Sequence, residues 1–321
     1  MERIRHFFRT RQIAVALLIT VFLFVLTTLI NPRSLNVNTA GSILALTSML
    51  CLASAGQTLV ILTGGIDMST GDVMSITAIL TVSILHSGLS SGIGMLAAFV
   101  TAVAVGAFIG FLNGLGVAAA GLPPMVVTLY IANVVDKLQY VFTNGTPTHT
   151  SVPNWYKQLI TTRFFSVLPS ILIVGALVFV FVFLLLGRTR YARQLYLTGN
   201  NPRAAFLTGI RTRRLKIITY TIAGILNGLA GLIGAGNTGN VDCGTFRDMT
   251  ITTIVAVVVG GTLLVGGKGS FQGTMVGALL MIVLSNGLAV LQVSDSIRNL
   301  IMGIILIALL SLYNRERSVR L

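Results

Sequence analysis

Charged residues are scarce in this chain: they fill 9% of its 321 positions, and only 8 are Asp or Glu. Soluble domains carry roughly a quarter, so there is too little polar material here to cover a surface facing water. Hydrophobic residues make up 54%, and the mean hydropathy is +0.90. A soluble enzyme, a disordered chain and a coiled coil are excluded together. Cysteine is nearly missing too. Cys51 and Cys243 match no metal or redox spacing, which excludes a disulfide-stapled secreted scaffold. No Ser/His/Asp, zinc or paired-carboxylate arrangement is present for an intramembrane enzyme to use.

What the chain has is long apolar runs. Stretches able to cross ~30 Å of hydrocarbon fall near 12–31, 40–63, 72–87, 92–116, 123–143, 166–187, 215–236, 249–265, 271–292 and 297–313. Backbone groups left unpaired in lipid are costly, so the spans must be helical. The expected fold class is all-α, a polytopic transmembrane helical bundle of about ten spans, forming a single domain over 1–321. The third and eighth runs are short, which leaves nine or eleven spans open. Arg3, Arg5, Arg9 and Arg11 precede the run Ile13–Ile30, yet no A-x-A cleavage pattern follows it. It reads as an uncleaved first span and not as a signal peptide.

The balance of 22 Lys+Arg against 8 acidic residues gives a net charge of +14. Cytoplasmic loops of membrane proteins collect basic residues. Ten spans with N- and C-termini in the cytoplasm place the four N-terminal arginines, Lys268, Arg315, Arg317 and Arg320 inside. The loop 188–214 adds Arg188, Arg190, Arg193, Arg203, Arg211, Arg213 and Arg214, with Lys216 at its edge. Segment 144–165 then lies outside. The excess reports orientation toward a lipid bilayer, and no nucleic acid is expected as a partner.

Glycines at fourfold spacing, Gly106, Gly110 and Gly114 in the fourth span and Gly224 and Gly228 in the seventh, suit close helix packing in lipid. Gly64–Gly65, Gly260–Gly261 and Gly266–Gly267 stand at span ends and suggest breaks or re-entrant turns. Two strings are decoys. Gly234-x-Gly236-x-x-Gly239 closes a membrane helix, and Thr262–Ser270 lacks the first glycine and the metal-binding hydroxyl of a phosphate loop. Asn-Gly-Leu at 113–115, 227–229 and 286–288 hints at an inverted repeat, though the spacing is uneven.

Polar groups inside spans mark candidate pathway residues, because burying a charge costs on the order of 2.5–3.5 kcal/mol. They are Asn113, Thr128, Asp136, Asn227 and Asn286, joined by Asp67 in the turn between the second and third spans. Asp67 either lines a pathway or belongs to a helix start capped by Ser69 or Asp72. Asp136 either meets a polar solute or pairs with another helix. Helical neighbours point about 100° apart, so Lys137 is not expected to neutralise it. No proton relay or voltage-sensor series appears.

Three segments resemble the ribose-type sugar permeases of bacterial ABC importers. They are Gly56–Gly71; Asn113-Gly114-Leu115 with Pro123–Leu129; and Tyr196 through Gly199–Ile210, followed by Val258–Thr262 and Gly266–Ser270. The resemblance covers most of the chain from about residue 50 onward. It implies a permease subunit that dimerises with a second copy or a paralogue, served by a separate ABC ATPase and a periplasmic solute-binding protein. ATP and Mg would sit on the partner subunits, and this chain would hold no cofactor and no metal. The ATPase would meet the loop carrying Gly199, Asn200, Ala204, Ala205, Gly209 and Ile210, where a short helix starting at Pro202 is expected. Thr250–Thr253 stands where the family carries an acidic stretch, and Asp136-Lys137 where it carries Arg-Gly, which leaves the solute open. An ion-coupled secondary transporter and a membrane scaffold are the competing functions.

Overall fold

In the computed structural model, residues 12–32, 36–146, 150–164 and 168–315 are described. The basic N-terminal tail, Arg33, His149, Arg317 and Arg320 lie outside the described residues. Among the described residues thirteen helices follow one another. The first five are α1 (Gln12–Ile30), α2 (Val37–Leu62), α3 (Thr70–Leu85), α4 (Ser91–Ala118) and α5 (Pro124–Phe142). A short α6 (Asn154–Thr161) and a two-residue antiparallel pair, Arg163–Phe164 with Leu168–Pro169, lead into α7 (Ile171–Arg188). Then come α8 (Arg190–Asn200), α9 (Pro202–Leu207), α10 (Thr212–Thr238), α11 (Met249–Val259), α12 (Phe271–Val290) and α13 (Asp295–Arg315).

Every apolar run forms a helix, but not every helix is long enough to cross. Among the described residues six are long and apolar enough, or seven if α7 and α8, bent by 70° at Thr189, count as one. α3 and α11 fall short. At 1.5 Å per residue, the 11 residues of α11 reach about 16 Å. It stops because Gly260 packs on the backbone of Gly273 and Gly261 turns with φ +91°.

The interior is built on α2, α3 and α10. The α2 span is 83% buried and the α1 span 11%, so α1 is a peripheral element. Glycine sets the tightest contact, α4 against α10. A Cβ on Gly106 would strike the Gly224 carbonyl, and one on Gly224 the Gly106 carbonyl. Gly110 sits against the Tyr220 backbone in the same way, and Gly228 against Ala102. Removing side chains from both faces brings the helix backbones together, as in other lipid-embedded pairs.

Connections collect at two ends. At one end the Gly267 N–H donates to the Leu62 carbonyl (3.0 Å), and Tyr196 Oη donates to that of Gly269 (3.0 Å). Gly199 packs on the Leu62 carbonyl there. At the other end, Val152 N–H donates to Gly239 (3.0 Å) and Val241 N–H to Thr150 (2.7 Å).

Candidate functional site

Between α2 and α3 the chain leaves helical geometry for Thr63–Ser69, and this break gathers the polar side chains of four elements. Asp67 is 2% exposed and, among the described residues, forms no ion pair. Ser69 donates to its Oδ1 from both the backbone N–H (2.8 Å) and the hydroxyl (2.6 Å). Asn227 on α10 donates to Asp67 Oδ2 and to Thr70 Oγ1, both at 3.3 Å. Asn113 on α4 donates to Ser69 Oγ (2.8 Å). Thr128 on α5 accepts from the Met68 N–H (3.0 Å) and donates to the Ile66 carbonyl (3.1 Å). The start of α11 joins in, with Thr250 Oγ1 accepting from the Gly71 N–H (2.9 Å).

The structure thus brings Asp67, Asn113, Thr128 and Asn227 to one turn. It leaves Asn286 apart, half-buried on α12, whose packing partners are α1, α2, α7 and α11. The expected cap is corrected. Ser69 flanks α3 at φ −93°, ψ −3°, without the extended backbone a capping side chain needs, and its hydroxyl is committed to Asp67 and Asn113.

A second group lies two turns further along α5. Lys137 Nζ reaches Asp136 Oδ2 at 2.9 Å, Arg247 pairs with Oδ1, and Arg247 Nε is 4.0 Å from Asp72 Oδ1. The expectation that Lys137 and Asp136 would not pair is corrected: a four-carbon stem folds back across the angle that separates the two Cβ directions. Arg247 is also the cross-element partner that the sequence left unnamed for Asp136. Nearby, the Gly244 N–H donates to Gln139 Oε1 (2.9 Å) and the Phe246 N–H to Ser75 Oγ (2.9 Å), seating the 240–248 loop between α3 and α5.

Sequence reasoning missed Thr70, Tyr220, Thr250 and Arg247 as members of these groups. The Tyr220 hydroxyl faces Gly65 at the break and, among the described residues, has no hydrogen-bond partner. Arg247 had a readable signal, being a lone basic residue in a segment the topology assigns to the outer side.

The loop after α8 folds as the sequence implied. Asn201 Oδ1 accepts from the N–H groups of Arg203 (3.0 Å) and Ala204 (3.1 Å), Pro202 opens α9, and Gly209 turns at φ +86°. The expectation that Ala205 and Ile210 meet a partner is corrected. Ala205 and Ile210 are buried with Leu215 inside the chain, Gly199 packs on the Leu62–Gly267 turn, and Phe206 and Leu207 are the exposed apolar side chains. Ala204 and Asn200 are exposed as well.

A helical bundle with a polar break at its centre and charged side chains on a spanning helix defines a multi-pass membrane protein of transport type. Residues 39–310 match the family described as "Branched-chain amino acid transport system / permease component". The chain is 31% identical to the ribose import permease protein of Escherichia coli (strain K12) over 308 residues, 94% of each. Identity to the ribose import permease protein of Bacillus subtilis (strain 168) is 31%, covering 92% of this chain and 90% of the relative. It is 30% to the autoinducer 2 import system permease protein of Escherichia coli O9:H4 (strain HS), covering 97% and 89%. No solved structure is a significant match. The chain belongs to this family of transport-system permease components.

Proposed function

We propose that this chain is the membrane-spanning subunit of an ATP-driven importer in a bacterial inner membrane, passing a sugar or sugar-like solute. The observation that carries the reading is end-to-end similarity to permeases for ribose and for autoinducer 2. A separate ABC ATPase supplies ATP and Mg, so this chain is not itself the enzyme and holds no cofactor. A periplasmic binding protein delivers the solute, and a second permease chain completes the path.

Ten spans with both termini cytoplasmic, in one domain, agree with the way the connections collect. Alternating spans put 62–70, 188–214 and 266–270 on one side and 144–165 and 237–248 on the other. Those are the two sets that touch. α9 presents Phe206 and Leu207 toward the ATPase. Asp136 stands on the solute path, while Asp67, Asn113, Thr128 and Asn227 hold the helix break beside it. Asn286, remote from both groups, is assigned to packing.

Asp136→Asn, at matched membrane abundance, is expected to lower uptake of solute through the complete transporter several-fold. Unchanged uptake would remove Asp136 from the path.

A further inference from the structure

The charged group on α5 differs from a solvated surface cluster in which of its members are covered. Asp136 and Asp72 keep only 9% of their side-chain surface, whereas Lys137 keeps 76% and Arg247 54%. Both Asp136 oxygens are engaged, Oδ2 by Lys137 and Oδ1 by Arg247. A solute arriving here finds the Asp136 carboxylate already taken up by the two cations. It meets ammonium and guanidinium N–H donors instead. On the same helical face as Lys137 stand Asn133, whose amide donates to the Leu129 carbonyl (3.0 Å), and Tyr140, whose ring centroid is 5.6 Å from Lys137 Nζ. An exposed cation on a spanning helix is costly against lipid, so the face that carries Lys137 belongs to water.

We propose that Lys137 and Arg247 are specificity-determining residues that favour a sugar-like solute bearing an anionic group, such as a sugar acid. Asp136 acts on them as a positioning residue: it anchors both cations side by side, and Asp72 backs Arg247 from α3. A carboxylate on the solute takes up N–H donors that Asp136 leaves over, in the charge-assisted geometry that guanidinium and ammonium groups offer. A neutral hydroxyl, which must find an acceptor as well as a donor, gains less. The proposal rests on the reading that α5 faces the solute path.

The test reads charge at that face directly. Asn133→Cys, one turn from Lys137, is introduced with Cys243→Ser into the assembled transporter in right-side-out vesicles; Tyr130→Cys is a second reporter should the first variant fail to fold. Rates of modification by sulfonate and trimethylammonium methanethiosulfonates are compared, with galacturonate or galactose as protectant. The sulfonate is expected to react about tenfold faster, the lower end of electrostatic focusing in a charged cleft. Lys137→Gln and Arg247→Gln should each shrink that ratio, and galacturonate should protect where equal galactose does not. Equal rates for the two reagents, or equal protection by the two sugars, would overturn the proposal and leave the water-filled path standing. Reaction of neither reporter with either reagent would overturn the path itself, and the proposal with it.

Discussion

Asp67 shows how a fully buried carboxylate persists in a membrane bundle without a cation. Three donors converge on it, and the carboxylate lies beside the N-terminus of α3, where helix dipoles favour negative charge. Asp67→Ala strands both Ser69 donors and takes away one of the two acceptors of Asn227. Asn113→Ala strands less, and interhelical hydrogen bonds in membranes average about 0.6 kcal/mol with a maximum near 1.7. Thermal unfolding of the detergent-solubilised permease should therefore show a small drop for Asn113→Ala and a larger one for Asp67→Ala. Equal midpoints would contradict the network. Gly224→Leu should drop the midpoint too, because overpacking costs about 1–3 kcal/mol and the Gly106 backbone cannot withdraw. At this scale the sequence was legible where composition and position sufficed. Polar residues in apolar runs named Asn113, Thr128 and Asn227, an acidic residue between two runs named Asp67, and the fourfold glycine spacing named the α4–α10 contact. Partners were not legible, since Arg247 lies 111 residues from Asp136 and only the fold joins them.

At the scale of elements, α9 separates two roles that sequence had merged. Asn201, Pro202 and Gly209 define its start and end by local chemistry, so its position was readable. Which face it covers was not, because six residues give less than two turns from which to read a period. The structure turns Ala205 inward at 3% exposure and leaves Leu207 at 85%. Leu207→Glu is accordingly expected to abolish copurification with the ATPase while permease abundance stays normal. Ala205→Glu should instead lower the abundance of the permease itself, since a carboxylate has no room beside Ile210 and Leu215. Immunoblots of membranes before and after affinity capture read both outcomes. Full copurification of the Leu207→Glu variant would return α9 to the membrane surface.

Across the whole molecule, hydropathy found every apolar helix and flagged the third and eighth as short, and the structure makes both of them shorter than a span. Hydropathy alone could not say how a short helix is used, because burial of α3 on all sides comes from its neighbours α4, α5, α10 and α11. The expected orientation is checked by single cysteines at Arg203 and Lys157 in intact cells, where an impermeant thiol reagent should label only the second. The central claim is that transport through this chain is driven by a partner's ATP hydrolysis, and coupled assay in proteoliposomes tests it most directly. With ATPase, binding protein and solute all present, uptake and ATP hydrolysis should rise together, and both should stop when the ATPase is omitted. Uptake that persists without the ATPase and follows an imposed ion gradient would contradict the account.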